Sequence, residues 1–353
     1  MLVFKSKKLF TVMAFSTLLI GGCSKDSSEV NKDDTNKVDE ETAIEEPSQK
    51  GDKVAPLTGE AVKEEITQRP IMVTINNHPK ARPQSGIEAA DIIYEMLAEG
   101  DVTRLLAVYQ SELPETVGPV RSARSYFIDL AKAFDAFYVA HGYSPEAKSM
   151  LTNNVVDNIN GMDYDGTLFK RSKDRVAPHN SYITSENIVI GAKKVDASMS
   201  YREKVSQAFY EPDERGKIGI ETSRIDVTYG NSEYFHNSYL YDHQSNHYGR
   251  QSAGVDTKDM LTGDTLSIAN VLFFEMKHRT IDNEGRQEID LTSGGNAYVF
   301  QNGYMREVKW ANIDGIPMAV EESGELVKLV PGKSWVHFIP TSPGLKAMVK
   351  TQP

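Results

Sequence analysis

The amino-acid sequence predicts an α+β protein, with a mixed α/β N-terminal domain at residues 66–215 and a mainly β C-terminal domain at residues 216–353. Up to about residue 215, apolar runs typical of strands alternate with segments of helical spacing. After about Thr222, many short β-rich runs follow one another and are separated by turns such as Asn302-Gly303. From residue 23 onward, all aromatic residues, including both tryptophans, lie beyond residue 65. The folded part is therefore expected to begin near residue 66.

The chain begins with the pattern of a secretory signal peptide, predicted at residues 1–22. Three lysines lie among the first eight residues, and an apolar run from Leu9 to Ile20 follows and ends in Gly21-Gly22. This run of about 12 residues is too short to span a bilayer core, which needs about 20. Cys23, the only cysteine in the chain, comes next and cannot form an internal disulfide.

The position of Cys23 resembles a lipobox, the site at which bacterial lipoproteins are acylated and cut. The resemblance implies cleavage before Cys23 and a lipid anchor on this residue, with palmitate as a typical acyl group. Anchoring by more than one acyl chain is stable, whereas a single chain is marginal. The expected location is the extracytoplasmic face of the cell membrane.

Residues 23–65 are predicted to be a disordered acidic tether. From Ser24 to Glu65 the chain has 13 Asp or Glu and 6 Lys, a net charge of −7 out of −11 for the whole sequence. The stretch has no aromatic residue, so it cannot bury enough apolar surface to offset the entropy of ordering. Its simplest role is to hold the folded part away from the membrane, and the alternative is an acidic interaction tail.

The N-terminal domain has strand and helix signals in alternation. The first strand lies between Pro70 and a turn at 76–79, and the first helix has Phe127, Leu130 and Phe134 at helical spacing. Pro145 suits the first position of the second helix. The predicted elements are a strand at 71–75, a hairpin of strands 91–98 and 103–110, a helix at 122–134, a strand at 136–141, a helix beginning at Ser144 and a helix at 184–194.

The C-terminal domain has eight predicted strands. They lie at 225–229, 233–242, 246–252, 268–277, 286–291, 297–301, 304–311 and 334–339. Pro331-Gly332 marks one of the turns between them. Whether these strands form a separate domain or continue the first sheet is left open by the sequence.

Composition and spacing exclude several classes of site. The fold has no surplus of basic residues with which to neutralise nucleic-acid phosphates, so we expect no nucleic-acid partner. The histidines His236, His243 and His247 lack the spacing of a zinc site, so we expect no metal. There is no G-x-S-x-G nucleophile elbow and no phosphate-cradling glycine motif, so we expect no cofactor.

The segment before the first helix is the best candidate for an anion site. Gly118-Pro119 marks a turn, Ser122 is a candidate N-cap, and Arg121 and Arg124 are three residues apart, which would place them on one helix face. A helix start offers free N–H groups, and arginine binds phosphate and carboxylate bidentately. The alternative is an internal ion-pair network in which these arginines meet acidic residues, namely Glu95, Glu99 or Asp135.

Two histidines are candidates for chemistry. His141 ends an apolar strand, and strand ends in α/β sheets are common ligand positions. His179 lies beside Asn180 in a loop, and loops often carry functional residues. For each histidine the alternative is a purely structural role.

Several stretches together resemble the YerB-type lipoprotein family of Gram-positive bacteria, over nearly the whole mature chain. They are Pro56–Gly59, Arg69–Val73, Ala81–Gln84, Ala90–Glu95, Glu99 with Thr103 and Arg104, Val117–Arg124, Ala177–Asn180, Asn270-Val271 and Pro331–Trp335. The resemblance implies two tandem domains of uncharacterised function and an envelope location. It also implies that an acid often stands where this chain has Asn76, so a catalytic role for such an acid would not carry over.

These observations favour a membrane-anchored binding or accessory protein for an anionic envelope ligand. The expected ligand-binding residues are Arg82, Gln84, Glu95, Arg104, Arg121, Ser122, Arg124, His141, His179 and Asn180. A competing hypothesis is an envelope hydrolase or transferase with His141 or His179 as base and Glu95 or Glu99 as acid. A third is a scaffold that docks another membrane protein and has no small-molecule site.

Overall fold

Strands dominate the architecture. The structure, a computed structural model, describes residues 53–202, 205, 207–211, 214 and 218–353. The described residues are 43% strand and 14% helical, so the α+β prediction is confirmed in its coarse form, a sheet-rich protein with few helices. The mixed α/β description of residues 66–215 stays a prediction. The predicted signal peptide and Cys23 lie outside the described residues.

The strands follow the predicted pattern closely, with several short additions. They are β1 (Lys53–Val54), β2 (Ala61–Val62), β3 (Ile71–Asn76), β4 (Ile92–Glu99), β5 (Val102–Tyr109), β6 (Thr116–Val117), β7 (Phe137–Ala140), β8 (Asn158–Asn160), β9 (Phe169–Arg171), β10 (Ser181–Thr184), β11 (Ile220–Glu221), β12 (Arg224–Thr228), β13 (His236–Asp242), β14 (His247–Ser252), β15 (Val255–Asp256), β16 (Asn270–Met276), β17 (His278–Thr280), β18 (Gln287–Ile289), β19 (Gly295–Gln301), β20 (Tyr304–Ile313), β21 (Ile316–Val320), β22 (Ser334–Pro340) and β23 (Val349–Gln352).

The helices are short. They are α1 (Ser125–Ala133), α2 (Pro145–Thr152), α3 (Gly161–Tyr164), α4 (Ser185–Lys194) and α5 (Leu345–Met348), with 3-10 turns at Pro79–Ala81 and Glu233–Phe235. Pro145 takes the first helical position of α2, as predicted, and Ser144 caps the helix by accepting a hydrogen bond from the Ala147 N–H. None of the described helices is long and apolar enough to cross a membrane.

One large sheet runs through both halves of the chain. Its strand order is β11-β20-β19-β16-β22-β4-β5-β3-β7-β8, and β21 pairs with β20. Strand β22, close to the C-terminus, lies parallel between β16 and β4. Strands β3, β7 and β8 are also parallel neighbours. On the question that the sequence leaves open, part of the C-terminal half therefore continues the first sheet, through β11, β16, β19, β20, β21 and β22, while its other strands form smaller sheets.

Both faces of this sheet are covered. Successive residues of β5 enter different apolar clusters, with Leu105 in one and Leu106 in the other. The first cluster includes Ile225 from a five-stranded sheet of order β15-β14-β13-β12-β23. The second includes Phe127 from α1. Burial on both faces explains why β3 and β5 are almost continuously apolar.

The predicted disordered tether is wrong from residue 53 onward. Strands β1 and β2 pair with each other, and Ala55 and Leu57 are 1% and 2% exposed. Leu57 belongs to the cluster that contains α1. The high charge of the surrounding stretch led to a prediction of disorder although Ala55 and Leu57 are buried. The tether prediction for residues 23–52 lies outside the described residues.

The start of the first helix also differs from the prediction. The N-cap of α1 is Arg124, and Ser122 lies before the helix. Residues 121–123 instead bond to strand ends, since the Arg121 N–H donates to the Thr74 carbonyl (2.8 Å) and the Ala123 N–H donates to the Gly142 carbonyl (3.0 Å). Arg121 and Arg124 therefore share no helix face.

Candidate functional site

The candidate site lies where three parallel strands end side by side. The chain leaves β3 at Asn76, β7 at Ala140 and β8 at Asn160. The Asn160 side-chain oxygen accepts hydrogen bonds from the N–H groups of Gly142 (2.9 Å) and Met162 (3.0 Å). The bond from Gly142 fixes the turn that follows β7. Strand ends of this kind are common ligand positions in open sheets.

His141, directly after β7, is positioned by a close approach to the backbone. A Cβ atom on Gly161 would lie 2.1 Å from His141 Nδ1, so only glycine fits there. Arg171 Nη2 contacts His141 Nε2 (2.9 Å), and an arginine nitrogen can only donate. Nε2 is therefore the acceptor, and Nδ1–H donates to Ser181 Oγ (2.7 Å). The ring is neutral, and burial and the charge of Arg171 lower its pKa.

Arg171 is held in turn by other side chains. It donates from Nε and Nη2 to the Asp165 carboxylate and from Nη1 to Asn180 Oδ1 (3.1 Å). Asn180 thus supports Arg171, which covers the outer nitrogen of His141. In this arrangement His141 is not available as a base.

His179 stacks on His78, a residue that the sequence analysis placed in a turn and did not select. The ring centroids are 4.6 Å apart with an interplanar angle of 26°. Asn76 Oδ1 accepts from the His78 N–H (3.0 Å), which turns Asn76 Nδ2 toward His179 Nδ1 (2.9 Å). An amide nitrogen only donates, so Nδ1 of His179 is an acceptor.

The same holds for the other ring of the pair, because His78 Nδ1 accepts from the Lys80 N–H (3.1 Å). Both rings are therefore neutral and carry their proton on Nε2. Burial lowers the pKa of both, and nearby cations, among them Lys80 and Arg121, lower it further. Neither Nε2–H has a hydrogen-bond partner in the part of the chain that the structure describes.

Arg121 lies among these groups. Its main-chain carbonyl accepts from the His141 N–H (2.9 Å), and its charge lowers the pKa of His78, His141 and His179. The side chain is half-buried, and none of the ion pairs between described residues involves it. Burial lowers the pKa of Arg121, whereas the charge of Glu99 opposes this shift.

Two other predicted arginines share one carboxylate. Glu99 accepts from Arg104 Nη2 (2.8 Å) and from Arg124 Nη2, and both arginines are almost fully buried. Burial alone would raise the pKa of Glu99, but these arginines hold it below its usual range. Arg104 also donates to the Ser122 carbonyl (2.8 Å), and Ser122 Oγ donates to the His141 carbonyl (3.3 Å). The hydrogen bonds of these residues connect Glu99 to the backbone of His141 through Arg104 and Ser122.

Of the remaining predicted residues, Gln84 and Glu95 are buried and Arg82 is partly buried. Arg82 Nε and Gln84 Nε2 both donate to Asn77 Oδ1 (3.2 and 3.1 Å), and Asn77 Nδ2 donates to Glu95 Oε1 (3.1 Å). Arg82 also donates to the Tyr234 carbonyl (2.9 Å). Burial lowers the pKa of Arg82 to about 10.

Glu95 is fully buried and bound on all sides. Its donors are Asn77 Nδ2 (3.1 Å), Thr103 Oγ1 (2.9 Å), Asn237 Nδ2 (3.1 Å), Arg250 Nη2 (2.9 Å) and Trp335 Nε1 (3.1 Å). Burial alone would raise the pKa of Glu95, but Arg250 and the other donors hold it below its usual range. The donors come from both halves of the chain, so this cluster joins them.

The predicted acids and bases of the hydrolase alternative do not contact each other. Among the described residues, neither Glu95 nor Glu99 makes a hydrogen bond or ion pair with His141 or His179. The histidine nearest Glu95 is His337, whose Nδ1 lies 4.0 Å from Oε2. Both carboxyl pKa values are lowered, which is opposite to the change that a general acid requires.

Neither a metal-ligand cluster nor the cavity beside α1 offers an alternative anion site among the described residues. These residues contain no group of three or more His, Cys, Asp or Glu side chains that could hold a metal. A cavity of about 900 Å³ lies beside α1 and is lined by three acidic residues and one lysine, Asp129, Asp290, Asp314 and Lys132. This lining does not suit an anion.

His78, Arg171 and Arg175 were not among the predicted site residues, and Asn76 was noted only as a position where the family resemblance implies an acid. Arg175 joins the loop that carries His179 to the 79–83 segment, since its guanidinium donates to the carbonyls of Ala81 and Pro83 (both 2.6 Å). The available signal was the position of Asn76 and His78 directly after a buried strand. Their contact with a loop about 100 residues later could not be inferred from spacing.

Comparisons with known proteins place both halves of the chain in one family. Residues 57–198 match the family described as "Protein of unknown function (DUF3048) N-terminal domain", and residues 225–336 match its C-terminal domain. A Bacillus subtilis (strain 168) protein named "Putative lipoprotein YerB" is 41% identical over 290 residues, which cover 81% of this chain and 86% of that protein. The crystal structure of YerB protein from Bacillus subtilis has a TM-score of 0.78 at 40% identity, over 85% of this chain and 99% of that one.

Proposed function

The chain belongs to the DUF3048 family, and we propose that it is a lipid-anchored extracytoplasmic protein that binds an anionic ligand of the cell envelope. Two things support the anchor. The first 23 residues have the pattern of a lipoprotein signal, and the Bacillus subtilis relative is named a lipoprotein. The ligand is anionic because the site offers hydrogen-bond donors and positive charge.

The observation that carries the proposal is the grouping of His78, His179 and Arg121 at the ends of parallel strands. Two imidazole N–H groups and one guanidinium lack partners among the described residues. Lys80 is exposed, and Arg175 bonds to main-chain carbonyls, Tyr182 and Met260 without a carboxylate. A protein with a net charge of −11 thus has a local positive surface here.

Binding of soluble anions tests this function. A panel of sulfate, polyglutamate and a phosphodiester oligomer is titrated into the chain from residue 24 to residue 353, which omits only the predicted signal peptide and the anchor cysteine. Removing a charged hydrogen-bonding group costs about 1.5–3 kcal/mol, so Arg121→Gln should weaken binding by about 10- to 100-fold. Affinity should also fall as salt rises.

The matched control is Arg279→Gln. Arg279 is 73% exposed and pairs with Glu288 on a different strand pair, so its loss removes the same charge elsewhere. Equal binding by both variants, or the absence of binding to every anion of the panel, would reject the proposed function. Among the described residues, no carboxylate makes a hydrogen bond to the imidazole of His141 or His179, so no contact favours the hydrolase alternative.

A further inference from the structure

The recognition groups of the site come from three separate segments. His78 follows β3, His179 lies in the loop between β9 and β10, and Arg121 precedes α1. The two rings are stacked, so their N–H groups lie in different planes. Resting on the proposed anion-binding function, we propose that the ligand of this site is a phosphodiester monoanion, held by neutral imidazole N–H groups together with one guanidinium.

The neutrality of the rings follows from their hydrogen bonds. A second proton on His179 would sit on Nδ1, which faces the Asn76 amide nitrogen, and the opposite end of that amide is already used by the His78 N–H. A second proton on His78 would face the Lys80 N–H. Protonation would therefore place two donors against each other at both rings.

The charged groups around the rings act in the same direction. Around His78 they are Lys80, Arg82 and Arg121, and around His179, besides the His78 ring, they are Arg121, Lys80 and Arg175. All of them lower the histidine pKa values, as burial does, and none is a carboxylate. The site therefore attracts an anion through fixed Arg and Lys charges and not through imidazolium.

The arrangement fits a tetrahedral phosphoryl group better than a carboxylate. Carboxylate oxygens prefer donors near the plane of the group. The donors on two stacked rings do not share one plane, whereas phosphoryl oxygens accept from several directions. The positive surface continues past the rings to Lys80 and Arg175, which suits a succession of single charges more than one compact dianion.

Such groups occur in two sources, a soluble phosphodiester polymer and the headgroups of an anionic bilayer. The experiment uses residues 24–353 with oligo(glycerol phosphate), with phosphatidylglycerol vesicles, and with polyglutamate and glycerol phosphate monoester for comparison. Tighter binding to either diester source supports the proposal and identifies the source. Tighter binding to polyglutamate or the monoester overturns it but leaves the anion-binding function intact, whereas failure of every probe overturns both.

The charge state of the rings is tested with the preferred diester probe between pH 8 and pH 6. Neutral donors predict an affinity that changes by less than about threefold, and a tenfold or greater rise on acidification overturns the proposal. His179→Gln keeps a neutral N–H donor and should stay within about threefold of the wild type, while His179→Phe should lose about tenfold.

Equal loss in the Gln and Phe variants also contradicts the neutral-donor assignment. His243→Gln, in the exposed turn between β13 and β14, is the control for the substitution itself. Thermal unfolding of each variant separates loss of binding from loss of fold. The His78→Gln variant repeats the test on the second ring, so that one badly folded variant does not decide the result.

Discussion

Replacing Glu95 by Gln tests whether the buried cluster joins the two halves of the chain. The carboxylate is fully buried and accepts five hydrogen bonds, and its pair with Arg250 has side chains 0% and 1% exposed. Glutamine keeps the volume but removes the charge, so the guanidinium of Arg250 is left buried without a counter-ion. Breaking a buried pair in this way costs about 3–5 kcal/mol.

The expected result is a loss of about 3–5 kcal/mol in the free energy of unfolding. Urea unfolding measures it through the fluorescence of Trp335, which donates to Glu95, and of Trp310. Because β22 links the halves, a single transition should remain. The double variant with Arg250→Met should recover part of the loss, since no unpaired buried charge remains.

Glu288→Gln is the control for this prediction. Glu288 is 52% exposed and pairs with Arg279, so its loss should cost at most about 1 kcal/mol. The reasoning would be refuted if Glu95→Gln cost no more than Glu288→Gln, or if the wild type unfolded in two separate steps.

Three further predictions concern histidines. Burial lowers the pKa of His337 to about 3, so the stabilising contribution of its neutral ring is complete above pH 6.5 and is lost as pH falls toward 3. The difference in unfolding free energy between wild type and His337→Gln should therefore shrink by about 2 kcal/mol between pH 7 and pH 5. An unchanged difference in urea unfolding would contradict this. Asn76→Asp gives His179 Nδ1 a carboxylate partner and should raise its pKa by about 1 to 2, as followed by NMR titration, whereas a lower pKa would disprove the contact. Gly161→Ala places a Cβ 2.1 Å from His141 Nδ1 and should reduce unfolding free energy by about 1–3 kcal/mol, so an unaltered melting temperature would argue against that approach.

The long strands could be predicted because their signals are local. Runs such as 71–75 and 334–339 are apolar and β-branched, and they appear as β3 and β22 with ends shifted by one residue. The order of strands could not be predicted. The parallel pairing of β22 with β4 joins residues about 240 positions apart, and no local pattern specifies it.

The site could be predicted only in part. Arg121, His141 and His179 were found because turns and strand ends are visible in sequence. The burial of Arg104 and Arg124 against Glu99 depends on how α1 begins, and the predicted cap at Ser122 was wrong. Composition and spacing do not show which guanidinium is paired with a carboxylate.

The stacking of His78 on His179 likewise depends on tertiary packing. The two residues lie in turns about 100 positions apart, and the Arg175 bonds to the 79–83 segment hold those turns together. From sequence alone, neither histidine can be distinguished from one with a purely structural role. The pair, with its fixed hydrogen bonds, is a property of the folded chain.

The most direct test of the account is the protonation state of the His78 and His179 rings, measured by long-range ¹H–¹⁵N NMR at pH 7. The account predicts that both rings are neutral, with the proton on Nε2 and an unprotonated Nδ1. It also predicts that addition of a phosphodiester oligomer shifts the Nε2–H signals without adding a proton to Nδ1. Imidazolium signals from either ring, or a proton on Nδ1 with Nε2 bare, would contradict recognition of an anion by neutral imidazole donors.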